Sequence, residues 1–343
     1  MTAADIKADV LDLSAVGGGT LDPLETDNQP VDWTGVTPGT YWINMVQDTG
    51  VFSNVVSLEV TIVAAAFDPA SLPGAAIVVD VSDITTLWQD AGGVTQVTAS
   101  GQRVGSVTNR GSLGGLFDTS NTNQKPLYTV ASGRSYLTAD GSLNRERLRL
   151  DLGASPALDL SGGYFLWVLF NDTAGSPGAP RRGVFSMAAA GSNAYNQDNG
   201  FVMHNTDFST DTCAVRIWAG QDNSAGVQTQ LEDRRTSNMA WGIAEFECIP
   251  TASSPNTWLR VEKAADGGVP VDIGNYGTTG SSGYPDLATS VKLFNMFADN
   301  NGGSGAPNGF SSCDIAAVVL VTGALSTADR DDVRAWLRTR GAF

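Results

Sequence analysis

The sequence is short of what most catalytic and nucleic-acid chemistry draws on. Its 343 residues include one histidine, His204, and three cysteines, Cys213, Cys248 and Cys313. No G-x-S-x-G elbow occurs, and a lone histidine leaves no suggestive Ser–His–Asp arrangement. The cysteines lie far apart without C-x-x-C or Cys/His spacing, so buried free thiols are expected, with neither a disulfide framework nor a zinc site. Lys and Arg number 20 against 36 Asp and Glu, a formal charge of −16. Such a surface repels phosphates, which excludes a nucleic-acid groove and disfavours anionic membranes. The longest uncharged apolar run, residues 315–321, is far short of the ~20 residues of a membrane-spanning helix. The N-terminus is acidic where a signal peptide is basic, so no export signal is expected. The glycine clusters lack the Lys-Ser/Thr of a phosphate-binding loop.

What is present reads as strands and turns. Charged residues are 16% of the chain against a usual ~25%, and the 39 glycines favour short strands joined by tight turns. Apolar or alternating runs occur at 76–81, 164–170, 183–187, 200–204, 214–218, 243–249, 257–262, 291–297 and 315–321. Gly, Asn, Ser and Asp clusters separate them, with no helical pattern between. The expected fold is all-β: an antiparallel two-sheet jelly-roll sandwich with a C-terminal helix and a small N-terminal β segment. In that helix, Ser326 and Asp329 form a capping-box-like start. Arg334, Arg338 and Arg340 lie toward its end, and Val333, Trp336 and Leu337 make an apolar stripe that must pack onto the sandwich.

The charge is uneven. Residues 1–64 hold nine acidic residues and one basic residue, Lys7, a balance of −8. The first thirty read as an arm with a short helical turn at 5–13. The Pro38-Gly39 turn is followed by a strand, and 55–63 read as its hairpin partner. The expected organisation is an acidic docking segment over 1–64, a linker over 65–74 and a large sandwich over 75–343.

Two resemblances follow from these stretches. The Pro38-Gly-Thr-Tyr41 and Ser57-Leu-Glu-Val-Thr-Ile62 text resembles the last two strands of a bacterial immunoglobulin-like module, here reduced in length or completed by a neighbouring chain. The opening of the large domain, Ile77-Val-Val-Asp-Val-Ser-Asp-Ile through Gly101-Gln-Arg-Val-Gly105, is similar to concanavalin-like, laminin-G-like domains of bacteriophage virion proteins. So is its ending, Cys313-Asp-Ile-Ala-Ala-Val-Val-Leu-Val into Gly323-Ala-Leu-Ser-Thr-Ala-Asp-Arg330. One departure is Asn109-Arg-Gly-Ser-Leu-Gly-Gly115, where related domains often carry a Lys-Ser-Gly-Asn-Gly-like segment. The resemblance implies a jelly roll carried on phage particles as a fibre, spike or decoration module, with a homo-oligomer, a trimer, as the expected form. It does not imply an enzyme, since the fold hosts lectins and hydrolases alike.

Candidate chemistry is sparse. Carbohydrate recognition combines an aromatic platform with polar groups at a loop-rich rim. The nearest local match is Trp218 with Asp222 and Asn223, supplemented by Tyr276 or Tyr284, although core packing is the ordinary fate of tryptophan. Glu245 and Glu247 alternate with Phe246 and Cys248, so they project from one strand face about 6.5–7 Å apart. That suits a hydrolytic pair, but the plain reading is a wet strand face. Arg145, Arg147 and Arg149 share another face, suited to an acidic glycan or to the acidic N-terminal segment of a neighbouring copy; the plainer reading is a solvated face paired with Glu146 or Asp151. Oxygen-rich loops at Asp222-Asn223 and Asp299-Asn-Asn-Gly-Gly303 read as turns before calcium sites. His204 reads as structural. No catalytic residue, metal or cofactor is expected.

The expectation is therefore a non-enzymatic virion protein, made in a host cytoplasm. It would dock on other virion proteins through 1–64 and display a lectin-like domain toward host surface glycan. A polysaccharide-degrading glycoside hydrolase on the same fold is the alternative.

Overall fold

The computed structural model describes residues 11–12, 21–22, 39–46, 55–62, 67–139, 146–172, 183–189, 200–204, 215–220, 228–233, 240–249, 256–273, 291–298 and 311–343. The chain divides into two compact units, Met1–Ala66 and Phe67–Phe343. In the first, Gly39–Val46 pairs antiparallel with Val55–Ile62, Gly39 opposite Ile62 and Val46 opposite Val55. Leu11–Asp12 pairs with Leu21–Asp22, so the described part of the stretch expected as a helical turn is extended instead. Of the stretch 65–74, residues 67–74 belong to the second unit. There Asp68 caps a 3-10 turn at Pro69–Ser71, and Leu72 is buried with Ala75 and Val78.

The second unit is an all-β sandwich of two antiparallel sheets with one described α-helix, Thr327–Gly341. The eight-stranded sheet runs Val271–Ile273, Asn256–Lys263, Gly242–Ile249, Tyr164–Asp172 and Cys313–Thr322. Beyond these, the free edge of Cys313–Thr322 pairs with Arg134–Ala139 at its start and Ala75–Asp80 at its end. Leu127–Ala131 then completes this sheet against Arg134–Ala139. The nine-stranded sheet runs Gln228–Asp233, Val215–Gly220, Gly200–His204, Gly183–Ala189, Val291–Met296, Leu148–Asp151, Leu116–Asp118, Ser106–Thr108 and Leu87–Trp88.

Alternation assigns each strand's faces. From Tyr164–Asp172, the side chains of Tyr164, Leu166, Val168 and Phe170 enter the core between the sheets. Phe165, Trp167 and Leu169 turn outward to Val333, Trp336 and Leu337 of the helix. Cys313–Thr322 is therefore covered on both faces, which is why its residues 315–321 are an unbroken apolar run. A bulge opposite Leu169 and Phe170 lets Ala316 and Ala317 both join the outer cluster. Cys248 and Cys313 are buried free thiols, and burial pushes Cys248 up to about 12. Cys213 lies outside the described residues. No described helix is long and apolar enough to cross a membrane.

Two devices hold the outer layers. The segment 109–115 lies along Ala75–Asp80 in place of a strand. Asn109 accepts from Val78 N at 2.9 Å and donates to Ala76 O at 3.0 Å, while Arg110 N bonds Val78 O and Ser112 N bonds Ala75 O. Gly111 is required by space, because a Cβ there would sit 2.4 Å from Ala76 O.

The second device is ionic. Asp80, Glu245 and Glu262 are almost fully buried and Glu247 partly so, yet all four meet arginines of the helix. Arg334 grips Glu245 with two bonds of 2.7 Å, and Arg338 grips Glu262 at 2.6 and 2.7 Å. Arg330 reaches Glu247 at 3.0 Å and Arg340 reaches Asp80 at 3.0 Å. Ser326 and Asp329 close the helix start as a capping box. At its end, Arg134 donates to the carbonyls of Gly341 and Ala342, a cation at the negative pole of the dipole.

Two outcomes follow for denaturant unfolding. Gly111→Ala should cost about 1–3 kcal/mol by forced backbone displacement, whereas Gly162→Ala, with open space around it, should stay within about 0.5 kcal/mol. Arg334→Ala should cost about 3–5 kcal/mol by leaving Glu245 buried and unpaired, clearly more than Arg330→Ala, whose partner is less enclosed.

Candidate functional site

The helix covers the middle of the eight-stranded sheet and leaves Trp258 and Arg260 of Asn256–Lys263, with Asp272 of the edge strand, open beside it. Glu245 and Glu247 project there from Gly242–Ile249, between Ala244, Phe246 and Cys248, which enter the core. On the next strand, Leu259 and Val261 point inward, so Trp258 and Arg260 take the outer face. Register sets Glu245 opposite Arg260, Glu247 opposite Trp258, and Arg260 opposite Asp272. With Arg330 and Arg334 as the helix wall, these residues enclose a pocket of about 240 Å³. That lies just below the ~300–1,000 Å³ of ordinary ligand clefts. Its size suits the end unit of a ligand whose remainder stays in solvent.

The polar groups are fixed by one another. Arg260 forks onto Asp272, Nη2 to Oδ2 at 2.8 Å. The hydrogen bonds from that fork lower the Asp272 pKa, and the same bonds raise that of Arg260. Burial raises the Glu247 carboxyl above its ordinary value, against the pull of Arg330. Arg330 also donates to Thr327 Oγ1 at 3.3 Å and its Nε has no hydrogen-bond partner. Trp258 is the exception to this tight packing, 44% exposed. A large apolar face beside preset charged forks can stack on a ring while the rim receives its hydroxyls.

The plain reading of Glu245 and Glu247 as a solvated strand face is corrected. Both are enclosed and ion-paired, because the helix folds back over them. Trp258 was passed over, although the alternation Trp258-Leu-Arg-Val-Glu262 is the signal that turns it outward.

Of the glycan-binding residues expected from sequence, Trp218 alone lies among the described residues. Trp218 lies on Val215–Gly220, opposite Val202 and Gln230 in the nine-stranded sheet. Asp222, Asn223, Tyr276 and Tyr284 lie outside the described residues, as do the loop at 299–303 and Arg145. Arg147 and Arg149 belong to a groove on the nine-stranded sheet, half-buried and not a solvated face; Arg149 bonds Asn295. Among the described residues no group of three or more His, Cys, Asp or Glu is placed to hold a metal ion.

No family model and no curated protein matches the sequence. Solved structures similar to it include an α-L-arabinofuranosidase of family GH54 soaked with 4-nitrophenyl α-L-arabinofuranoside. It is 10% identical over 70% of this chain and 51% of that one, at a TM-score of 0.42. Others are the NanB sialidase of Streptococcus pneumoniae, 12% identical over 55% and 26% at 0.35, and the lectin UEA-II complexed with galactose, 14% identical over 58% and 88% at 0.32. The chain thus spans about half of that arabinofuranosidase and about a quarter of the sialidase. At these scores the likenesses assign neither an activity nor a sugar, and none bears on a phage origin. The expectation of a non-enzymatic chain is nevertheless corrected: enzymes stand among the structures similar to it, so the sandwich is no ground for setting catalysis aside.

Titration tests the pocket's electrostatics. The Glu247 carboxyl, followed by NMR, should titrate above the ordinary ~4.3, and higher still in Arg330→Met. Because the folded chain holds this proton to higher pH than the unfolded chain, Glu247 lowers stability as pH rises from the unfolded value through the folded one. Glu247→Gln should flatten that part of the stability profile.

Proposed function

We propose that this chain is a carbohydrate-recognition protein displayed from a larger particle, with the Trp258 pocket as a contact for a sugar ring. The observation that carries the reading is an exposed indole beside rigid Arg–carboxylate forks, in a pocket sized for a ligand's end unit. Trp258 would stack on the ring, while Arg260, Asp272 and Glu247 would exchange hydrogen bonds with its hydroxyls. Residues 1–64 would anchor the chain to other proteins of the particle. Their acidity and the resemblance of the large domain support a virion as that particle and a homo-oligomer as the displayed form.

A second reading, hydrolysis of a polysaccharide, draws on the same pocket. Glu245 and Glu247 are two carboxylates at alternate positions of one strand, and Glu247 keeps its proton to higher pH, as a general acid does. Glu245 is fixed in place by the bidentate grip of Arg334.

A glycan array probed with the full chain should give saturable binding. Trp258→Ala should weaken it by about tenfold or more, Trp258→Phe less, and Trp218→Ala little. A blank array, or binding indifferent to Trp258, overturns the pocket reading. Release of reducing ends from a bound polysaccharide, stopped by Glu247→Gln, would favour hydrolysis over recognition alone.

A further inference from the structure

The outer face of the nine-stranded sheet carries a second and larger recess, about 730 Å³. Phe117, Leu148 and Leu150 enter the core, so their neighbours Asp118, Arg149 and Asp151 face out into it. Register sets Asp118 opposite Arg149 and Arg149 opposite Asn295. Asn295 accepts from Arg149 Nε at 2.9 Å and donates to Ser186 Oγ at 3.1 Å, and Ser186 in turn donates to Ala298 O. One side of the recess therefore rests on a fully buried polar relay. The 3-10 turn Thr122–Gln124 forms part of the rim, tied down by Arg147 N to Gln124 O at 3.0 Å. The same register row continues through Ser186 and Val202 to the backbone position of Trp218.

Arg147 is the anomaly. It lines the recess half-buried, and among the described residues its guanidinium has no ion pair and no hydrogen bond. Its Nη1 is buried without a partner. Burial, and then the charge of Arg149, lower its pKa. A partly desolvated cation without a counter-ion is costly to keep, and an anion from outside relieves that cost. Its surroundings narrow the choice. Asp118 and Asp151 would repel a compact phosphate, and burial with the Asp151 charge already raises the Asp118 pKa. A neutral sugar would leave Arg147 unmatched. A uronic acid unit answers both, with one planar carboxylate for the guanidinium fork and hydroxyls to donate to the two aspartates.

We propose that this recess binds a uronate-bearing polysaccharide, with Arg147 taking the carboxylate and Asp118, Asp151, Asn121 and Gln124 the hydroxyls. The site is independent of the Trp258 pocket, and its test separates the two. Calorimetric titration of the full chain with oligogalacturonate should show binding that weakens about tenfold or more in Arg147→Met and is unchanged in Trp258→Ala. Arg147→Lys should recover it only in part, since an ammonium keeps the charge and loses the fork. Methyl-esterified oligogalacturonate, titrated into the unaltered chain, should bind about tenfold more weakly or not at all; this arm needs no variant to fold. Equal binding of free and esterified oligomers overturns the proposal, as does absence of oligogalacturonate binding at millimolar concentration. Binding lost in Trp258→Ala but kept in Arg147→Met also overturns it while supporting the Trp258 pocket. Neutral glycans that bind through Trp258 with no uronate binding leave the pocket standing and this recess refuted.

Discussion

The sandwich depends on a match of charge beneath its terminal helix. Asp80, Glu245, Glu247 and Glu262 come from three different strands and would be intolerable on an enclosed sheet face by themselves. Arg330, Arg334 and Arg338, one helical turn apart, and Arg340 beyond them supply the answering cations. The geometry is bidentate at Glu245 and Glu262, the arrangement in which Arg–carboxylate pairs are strongest. A pair of this kind adds little over a well-packed apolar contact, but losing one partner is severe. Its consequence is positional: the helix has one seat, and its apolar stripe lands on Phe165, Trp167 and Val319.

That seat decides where the surface stays open. By covering the middle strands and leaving Trp258 and Arg260 at its border, the helix turns two of its own arginines into the wall of a pocket with Trp258 at its mouth. The same side chains thus secure the fold and border the candidate site. On the opposite sheet no described helix covers the outer face, and a groove remains in which Arg147 has no ion pair among the described residues. The two recesses differ in kind. One is small, ion-paired and aromatic; the other is broad and polar.

Much of the architecture was legible because it rests on local pattern. The strands around Trp167, Phe246, Leu259, Phe294 and Val318 announce themselves by apolar density, and Ser326, Asp329 and the late arginines mark the helix ends. Short strands such as Ser106–Thr108, Leu116–Asp118 and Arg134–Ala139 were missed, because three to six half-polar residues carry no period of their own and become strands only by pairing. The stretch 109–115 stood out only as a departure from related domains. Asn109 and Gly111 make it serve as an edge for Ala75–Asp80, which no local signal reports.

What the sequence by itself determined is the class of fold, the composition of the core and the amphipathic helix at its end, since alternation, helical spacing and capping are properties of neighbours along the chain. What only the tertiary structure decided is which charges find partners. Glu245 and Glu247 look like any wet strand face until Arg330 and Arg334, more than eighty residues later, fold over them. Trp258 looks like core, and Arg147 like one more solvated arginine, until the sheets are assembled. Burial and ion pairing are long-range consequences of packing, and the chemistry of both recesses follows from them.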